Sequence, residues 1–236
     1  MKSTVALSEP DAATYPATLR NVDLRGPAGR LEALLNEGDP KSRFAALVCH
    51  PHPLGGGTLH NKVVYHAMKV LNAPEWGFRL PVLRFNFRGT GLSEGQHEGL
   101  QESADVSAAL DWLGAEYNLR TIVVGFSFGA AMALVACCGT EPPPRSSVHA
   151  LAALGLPTHG FGHQFRYPFL AGCSLPKLFL SGDRDWFAPR GDLEKVVGTA
   201  AAPKHLVFVS GADHSFTGHL ELMQQSLARW LKEQVQ

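Results

Sequence analysis

The segment Thr121-Ile122-Val123-Val124-Gly125-Phe126-Ser127-Phe128-Gly129-Ala130-Ala131 constrains this chain more than any other. Its β-branched apolar run predicts a buried strand, and the small-residue run from Ala130 to Cys138 predicts a helix. A strand that reverses into a helix within a few residues leaves little room around the turning residue, so glycine is needed on both sides of it. Gly125 and Gly129 occupy those places, with Ser127 between them. Such a turn strains the serine backbone and lifts its hydroxyl out of the sheet edge. The first helical N–H, from Phe128, then points to the same spot. The five-residue pattern alone has many chance matches, and the flanking strand and helix give it weight. Ile122 to Gly139 is also long and uncharged enough to suggest a membrane span. The central Gly-Phe-Ser-Phe-Gly would break that helix, and no basic flank orients it.

The rest of the chain alternates strands and helices. Ala17 to Leu24 and Arg30 to Leu35, split by Gly26-Pro27-Ala28-Gly29, read as an antiparallel hairpin. Phe44 to Cys49 is short and continuously apolar, as a strand buried on both faces is, and Pro81 to Phe87, Val148 to Leu156, Leu178 to Leu180 and His205 to Val209 read as further short strands. Helices are expected over Asn61 to Leu71, Leu100 to Tyr117, Gly191 to Thr199 and Leu220 to Leu231. Glu141 to Arg145 reads as a proline-stiffened surface loop, and Pro157 to Pro176 as irregular. The fold class is therefore α/β: a mainly parallel central sheet with helices on both faces and an N-terminal antiparallel hairpin. No repeat or linker divides it, so residues 1–236 are expected to form one domain, with 1–16 a flexible arm. In such sheets ligands bind beyond the carboxyl ends of the strands. The loops after His50 and Arg88, together with Ser127, Asp185 and His214, all fall there.

Lys+Arg 21 balances Asp+Glu 21, so no net field recruits nucleic acid or an anionic membrane. Cys49, Cys137, Cys138 and Cys173 lack the spacing of a zinc site or a disulfide framework and read as buried free thiols. Met1 to Pro16 lacks the apolar core of a signal peptide. Both observations predict a cytoplasmic protein. Nothing in the pattern fixes an oligomeric state.

A serine hydroxyl becomes a useful nucleophile when an imidazole takes its proton and a carboxylate holds the far ring nitrogen. Ser127, Asp185 and His214 supply these groups, in that chain order. Together the hairpin, His50-Pro51-His52-Pro53, Arg88-Gly89-Thr90-Gly91-Leu92-Ser93, the Ser127 turn, Gly182-Asp183-Arg184-Asp185 and Asp213-His214-Ser215 resemble an α/β-hydrolase. The similarity is greatest to small bacterial members near the dienelactone hydrolase group, and it covers nearly all of the chain after Ala17. Dienelactone hydrolases proper use a cysteine nucleophile, so Ser127 points to general ester chemistry. The resemblance implies that Ser127 attacks, His214 shuttles the proton and Asp185 orients His214. Asp185 is preferred over Asp183 because a proline, Pro189, follows it as in the family pattern. Asp183 then forms a turn. His214, directly after a strand, is preferred over His219.

The oxyanion donors are expected to be the Phe128 N–H and one N–H of the loop after Cys49. Pro51 and Pro53 have none, which leaves His52 or Leu54. Position favours His52. His50 and His52 share a strand end without a completing carboxylate, so no metal is expected. Gly55-Gly56-Gly57 and Gly89-x-Gly91 match neither a phosphate loop nor a dinucleotide fingerprint, so no cofactor is expected. Arg88 is expected to bind loop backbone. Phe161, Phe165, Tyr167, Phe169 and Trp186 are candidates for an acyl pocket or for packing under a loop. The segment between Leu156 and Leu178 is too short for a helical cap. The expected activity is cleavage of a small carboxylic ester or thioester through an acyl-enzyme. A catalytically silent scaffold, and a peptidase or acyltransferase using the same three residues, are the alternatives.

Overall fold

The computed structural model describes residues 18–99, 101–139, 147–160 and 162–235. The expected arm at 1–16, the loop at 141–145 and Phe161 lie outside the described residues. In chain order the elements are β1 (Leu19–Gly26), β2 (Gly29–Asn36), β3 (Phe44–Cys49), α1 (Lys62–Asn72), β4 (Val82–Phe85), α2 (Ser103–Tyr117), β5 (Arg120–Phe126) and α3 (Phe128–Cys138). Then follow β6 (Val148–Leu154), the two-residue strands β7 (His159–Gly160) and β8 (His163–Gln164), β9 (Lys177–Gly182), α4 (Arg190–Thr199), β10 (Lys204–Val209) and α5 (Leu220–Gln234).

Eight strands form one sheet in the order β1-β2-β4-β3-β5-β6-β9-β10. β1 and β2 pair antiparallel through a tight turn at Gly26 and Gly29, and β2 pairs antiparallel with β4. From β4 to β10 every pairing is parallel. The period of two along each strand divides the core in two. Ala45, Leu47 and Cys49 of β3 join α2 and α3 on one face, whereas Ala46 and Val48 join α1 and α5 on the other. Both faces being covered explains why the parallel strands carry continuous apolar runs.

Helix α3 is almost entirely buried, and its alanines let it lie close against β5 and β6. Helix α1 is capped by Asn61, whose side chain accepts from the Val63 N–H at 2.9 Å. Among the described residues between β6 and β9 there is no helical cap: they hold the β7–β8 ribbon and a short 3-10 turn at Pro168–Gly172.

Two of the four cysteines depart from the expectation of free thiols. Cys138, the last residue of α3, is bonded to Cys173, just past the 3-10 turn, with Cα atoms 5.2 Å apart. Cys49 and Cys137 are buried and outside that disulfide. The pairing brings together positions 35 residues apart through the packing of that turn on α3, which no local spacing encodes. It also removes half of the thiol argument for the cytoplasm. Among the described residues no helix is long and apolar enough to cross a membrane.

Candidate active site

Ser127 sits between β5 and α3 with φ 54° and ψ −120°, a conformation that L-residues adopt only when their surroundings impose it. The surroundings do. A Cβ on Gly125 would lie 2.5 Å from the Gly129 oxygen and from Cα of Ala130, and one on Gly129 would lie 2.4 Å from the His50 oxygen. Neither position tolerates a side chain while α3 starts where it does. Ser127 in turn donates its backbone N–H to Leu154 O at 2.8 Å, and its carbonyl accepts from Ala130 and Ala131 as the helix begins.

Asp185 and His214 arrive on the loops after β9 and β10. Asp185 is buried, and both of its oxygens are engaged. Oδ1 accepts from the N–H groups of Phe187 (2.9 Å) and Ala188 (3.2 Å), while Oδ2 accepts from the Ser181 hydroxyl at 3.0 Å. The same Oδ2 lies 2.8 Å from His214 Nδ1. A carboxylate only accepts, so the imidazole proton belongs on Nδ1 and leaves Nε2 as an acceptor. Ser127 Oγ lies 2.9 Å from that Nε2. The His214 ring is held between Phe126 and Phe187, with centroid separations of 5.1 and 4.6 Å. Asp183 accepts instead from the Gly211 N–H at 2.7 Å, bracing the two loops from outside. His219 Nδ1 turns to the Thr217 carbonyl at 2.8 Å, at the start of α5.

The His50 to Gly57 loop closes the opposite side. His50 is fully buried. Its Nε2 accepts from the Phe87 N–H at 3.0 Å and its Nδ1 lies 2.6 Å from the Pro51 carbonyl. Burial lowers its pKa to about 4, with His97 and His52 nearby adding to the effect and the Pro51 carbonyl opposing it. His52 packs its ring on Phe128 at 4.9 Å. The Leu54 N–H donates to His52 Nδ1 at 3.2 Å, so of the two candidate loop donors Leu54 is turned toward a side chain. The three glycines serve the turn: Gly55 and Gly57 donate to the His52 carbonyl, and Gly56 takes a positive φ.

Arg88 departs from its expected role. Its guanidinium is buried against the Asp105 carboxylate in α2, with the closest contact at 2.7 Å, rather than on loop backbone. The partner lies 17 residues away on the next helix, and facing charges at that distance are invisible in the loop sequence. Of the candidate aromatics, Phe165 and Tyr167 line a cavity of 490 Å³ beside the serine, Phe169 packs against the core, and Trp186 is exposed on Phe187. That cavity also contains residues that the sequence reading missed, His97 and Glu98. The glycine-flanked loop from Gly95 to Gly99 was the available signal, and it carries no recognisable spacing.

An alpha/beta hydrolase domain family matches residues 65–235, and the chain belongs to that family. It is a hydrolase by fold class. An uncharacterized protein of Rickettsia prowazekii is 35% identical over 219 residues, covering 87% of this chain and 86% of that one. Among solved structures, an alpha-beta serine hydrolase homologue from Coxiella burnetii is 31% identical with a TM-score of 0.75, covering 89% of this chain and 96% of its own. A serine hydrolase without lid from Xanthomonas campestris is 26% identical with a TM-score of 0.76, covering 94% and 97%. A dienelactone hydrolase from Anabaena variabilis shares the fold at a TM-score of 0.73, with 18% identity, over 93% of this chain and 99% of that one.

Proposed function

We propose that this chain cleaves small carboxylic esters or thioesters through an acyl-enzyme on Ser127. One observation carries the reading: a strained serine whose hydroxyl meets His214 Nε2 at 2.9 Å while Asp185 holds His214 Nδ1 at 2.8 Å. In the first step Ser127 Oγ bonds to the acyl carbon and its proton passes to Nε2. The resulting oxyanion is met by the Phe128 N–H at the start of α3 and by the His52 N–H. The engagement of the Leu54 N–H by His52 Nδ1 supports His52 as the second donor. Collapse breaks the bond to the alcohol or thiol, which takes the proton back from His214. Water then repeats the sequence in reverse and frees the acid. Throughout, Asp185 stabilises the imidazolium without taking the proton.

The absence of a cap among the described residues between β6 and β9 supports an open mouth and small-molecule substrates. Ser127 lies at a narrow cleft walled by His52, Phe128, Pro157, His159 and Phe187. The test is Ser127→Ala. The variant is expected to fold with an unchanged melting temperature and to lose both p-nitrophenyl ester turnover and labelling by a fluorophosphonate. Labelling that persists in the variant overturns the assignment.

A further inference from the structure

A second histidine and carboxylate stand at the cavity next to the serine cleft and take no part in the reaction above. The cavity of 490 Å³ shares His52, Phe128 and Phe165 with the cleft at Ser127, so the two spaces adjoin. Its volume is in the range of pockets that take one small organic molecule, roughly 300–1,000 Å³. Phe128, Met132 and Val135 of α3 give it an apolar wall suited to a flat ring. His97 also lines it, edge-on to Phe128 (5.4 Å) and His52 (4.8 Å).

Glu102, which is wholly buried, lies behind that histidine. Its Oε1 accepts from the Glu98 N–H at 2.7 Å and the Gly99 N–H at 3.1 Å and stands 2.8 Å from His97 Nδ1. The approach of Nδ1 is close but bent away from hydrogen-bond alignment, and among the described residues Oε2 has no hydrogen-bond partner. Burial alone would push the Glu102 carboxyl up. The backbone N–H groups of Glu98, Gly99 and Glu102, with His97, outweigh it and hold the group below its ordinary value. An ionised oxygen facing a ring nitrogen at 2.8 Å calls for the proton on Nδ1, since two lone pairs would repel. With its single ring proton on Nδ1, the ring offers Nε2 as an acceptor. Of the charged residues in the lining, Glu98 lies 3.7 Å from the Arg88 guanidinium and Arg166 is exposed.

We propose that His97, set by Glu102, is a specificity-determining residue that accepts a hydrogen bond from a hydroxyl on an aromatic acyl group bound in this cavity. The assignment rests on the serine esterase reading, because it concerns the acyl group delivered to Ser127. A site built to pair with a hydroxyl disfavours the analogue that lacks it, since the acceptor is then dried without a partner.

The experiment compares kcat/KM for matched methyl esters: benzoate, phenylacetate and 3-phenylpropionate, each with its 4-hydroxy counterpart. The wild-type protein is expected to favour the hydroxylated ester by about tenfold at one of the three lengths, the one that spans from Ser127 to His97. His97→Phe keeps a ring against Phe128 and His52 but removes the acceptor, and its ratio is expected to fall to near one. His97→Leu replaces it in the comparison if the phenylalanine does not fold. His97→Gln restores an acceptor oxygen and is expected to recover part of the ratio. A ratio near one at all three lengths in the wild-type protein overturns the proposal, as does a ratio that survives in both His97→Phe and His97→Leu. Fluorophosphonate labelling, read on every sample, separates the two failures. A wild-type protein that does not label sinks the esterase reading itself, whereas labelling with a flat ratio sinks only the role of His97.

Discussion

Two histidines in this molecule face a buried carboxylate at the same 2.8 Å, and they differ in what surrounds them. Behind His214, Asp185 is satisfied at both oxygens by Phe187, Ala188 and Ser181. Behind His97, Glu102 crowds its contacts onto Oε1 and leaves Oε2 unpaired among the described residues. The first arrangement holds its ring in alignment with both a carboxylate and a serine, the geometry that the proposed proton transfer needs. The second holds a ring at a cavity wall, where the proposed role is to present an acceptor. A histidine–carboxylate pair is thus not a function in itself; the third group decides it.

The sharpest way to break the comparison is to remove the group that distinguishes the pairs. Ser127→Ala is expected to lower kcat for p-nitrophenyl esters by about 10⁵-fold to 10⁶-fold, with Tm nearly unchanged. A loss of less than about a hundredfold would mean that the nucleophile lies elsewhere. Next in size is the carboxylate swap. Asp185→Asn keeps the shape but presents an amide that can donate to Nδ1, which puts the ring in the wrong tautomer, and about a 10⁴-fold fall in kcat is expected. Glu102→Gln makes the same chemical change on the other pair. It is expected to lower stability by about 1–2 kcal/mol through its loop, and to act on rate mainly through the choice of acyl group. Equal losses of kcat in the two variants, measured on p-nitrophenyl acetate, would erase the distinction.

The two pairs were also unequally legible. Ser127 could be read because its turn demands residues of a fixed kind at fixed spacing, and Gly125 and Gly129 are where a Cβ would meet backbone at 2.5 Å or less. Asp185 and His214 could be read because each follows an apolar strand run, in the chain order of the resembling family. The sheet was legible for the related reason that strands covered on both faces leave short uncharged runs. His97 and Glu102 lie in a loop and at the edge of a helix, five residues apart, with nothing periodic between them. Arg88 meeting Asp105 and Cys138 meeting Cys173 depend on how helices pack, and a linear pattern records neither.

That disulfide sharpens the comparison from the cavity side. It ties the end of α3, which supplies one cavity wall, to the segment just beyond Phe165 and Tyr167, which supply another. Closing a loop of 35 residues is worth about 4 kcal/mol in the chain-entropy account. Cys173→Ser is expected to lower stability in urea by that order, and the hydroxy-ester preference is expected to weaken before p-nitrophenyl acetate turnover does. A variant as stable as the wild type would show that the crosslink contributes nothing to the wall.

A pH effect concerns His50, which is influenced by both His97 and His52. Its neutral form is fully used: Nε2 accepts from the Phe87 N–H and Nδ1 faces the Pro51 carbonyl. A proton added at Nε2 would break the first bond and bury a charge. With its pKa lowered to about 4 in the folded chain against about 6.5 unfolded, the unfolded state binds the extra proton over that interval. The contribution is therefore present above pH 6.5 and is lost as pH falls toward 4, up to about 3 kcal/mol. Urea unfolding at steps from pH 7 to pH 4.5 is expected to show stability dropping with acid, and the His50 imidazole is expected to stay neutral by NMR down to about pH 5. If that imidazole titrates near 6.5 instead, the burial that holds the loop after β3 is not what limits acid stability. The His52 side of the site would then be able to open without disturbing His214, whose own contacts with Asp185 and Ser127 are made from the other rim.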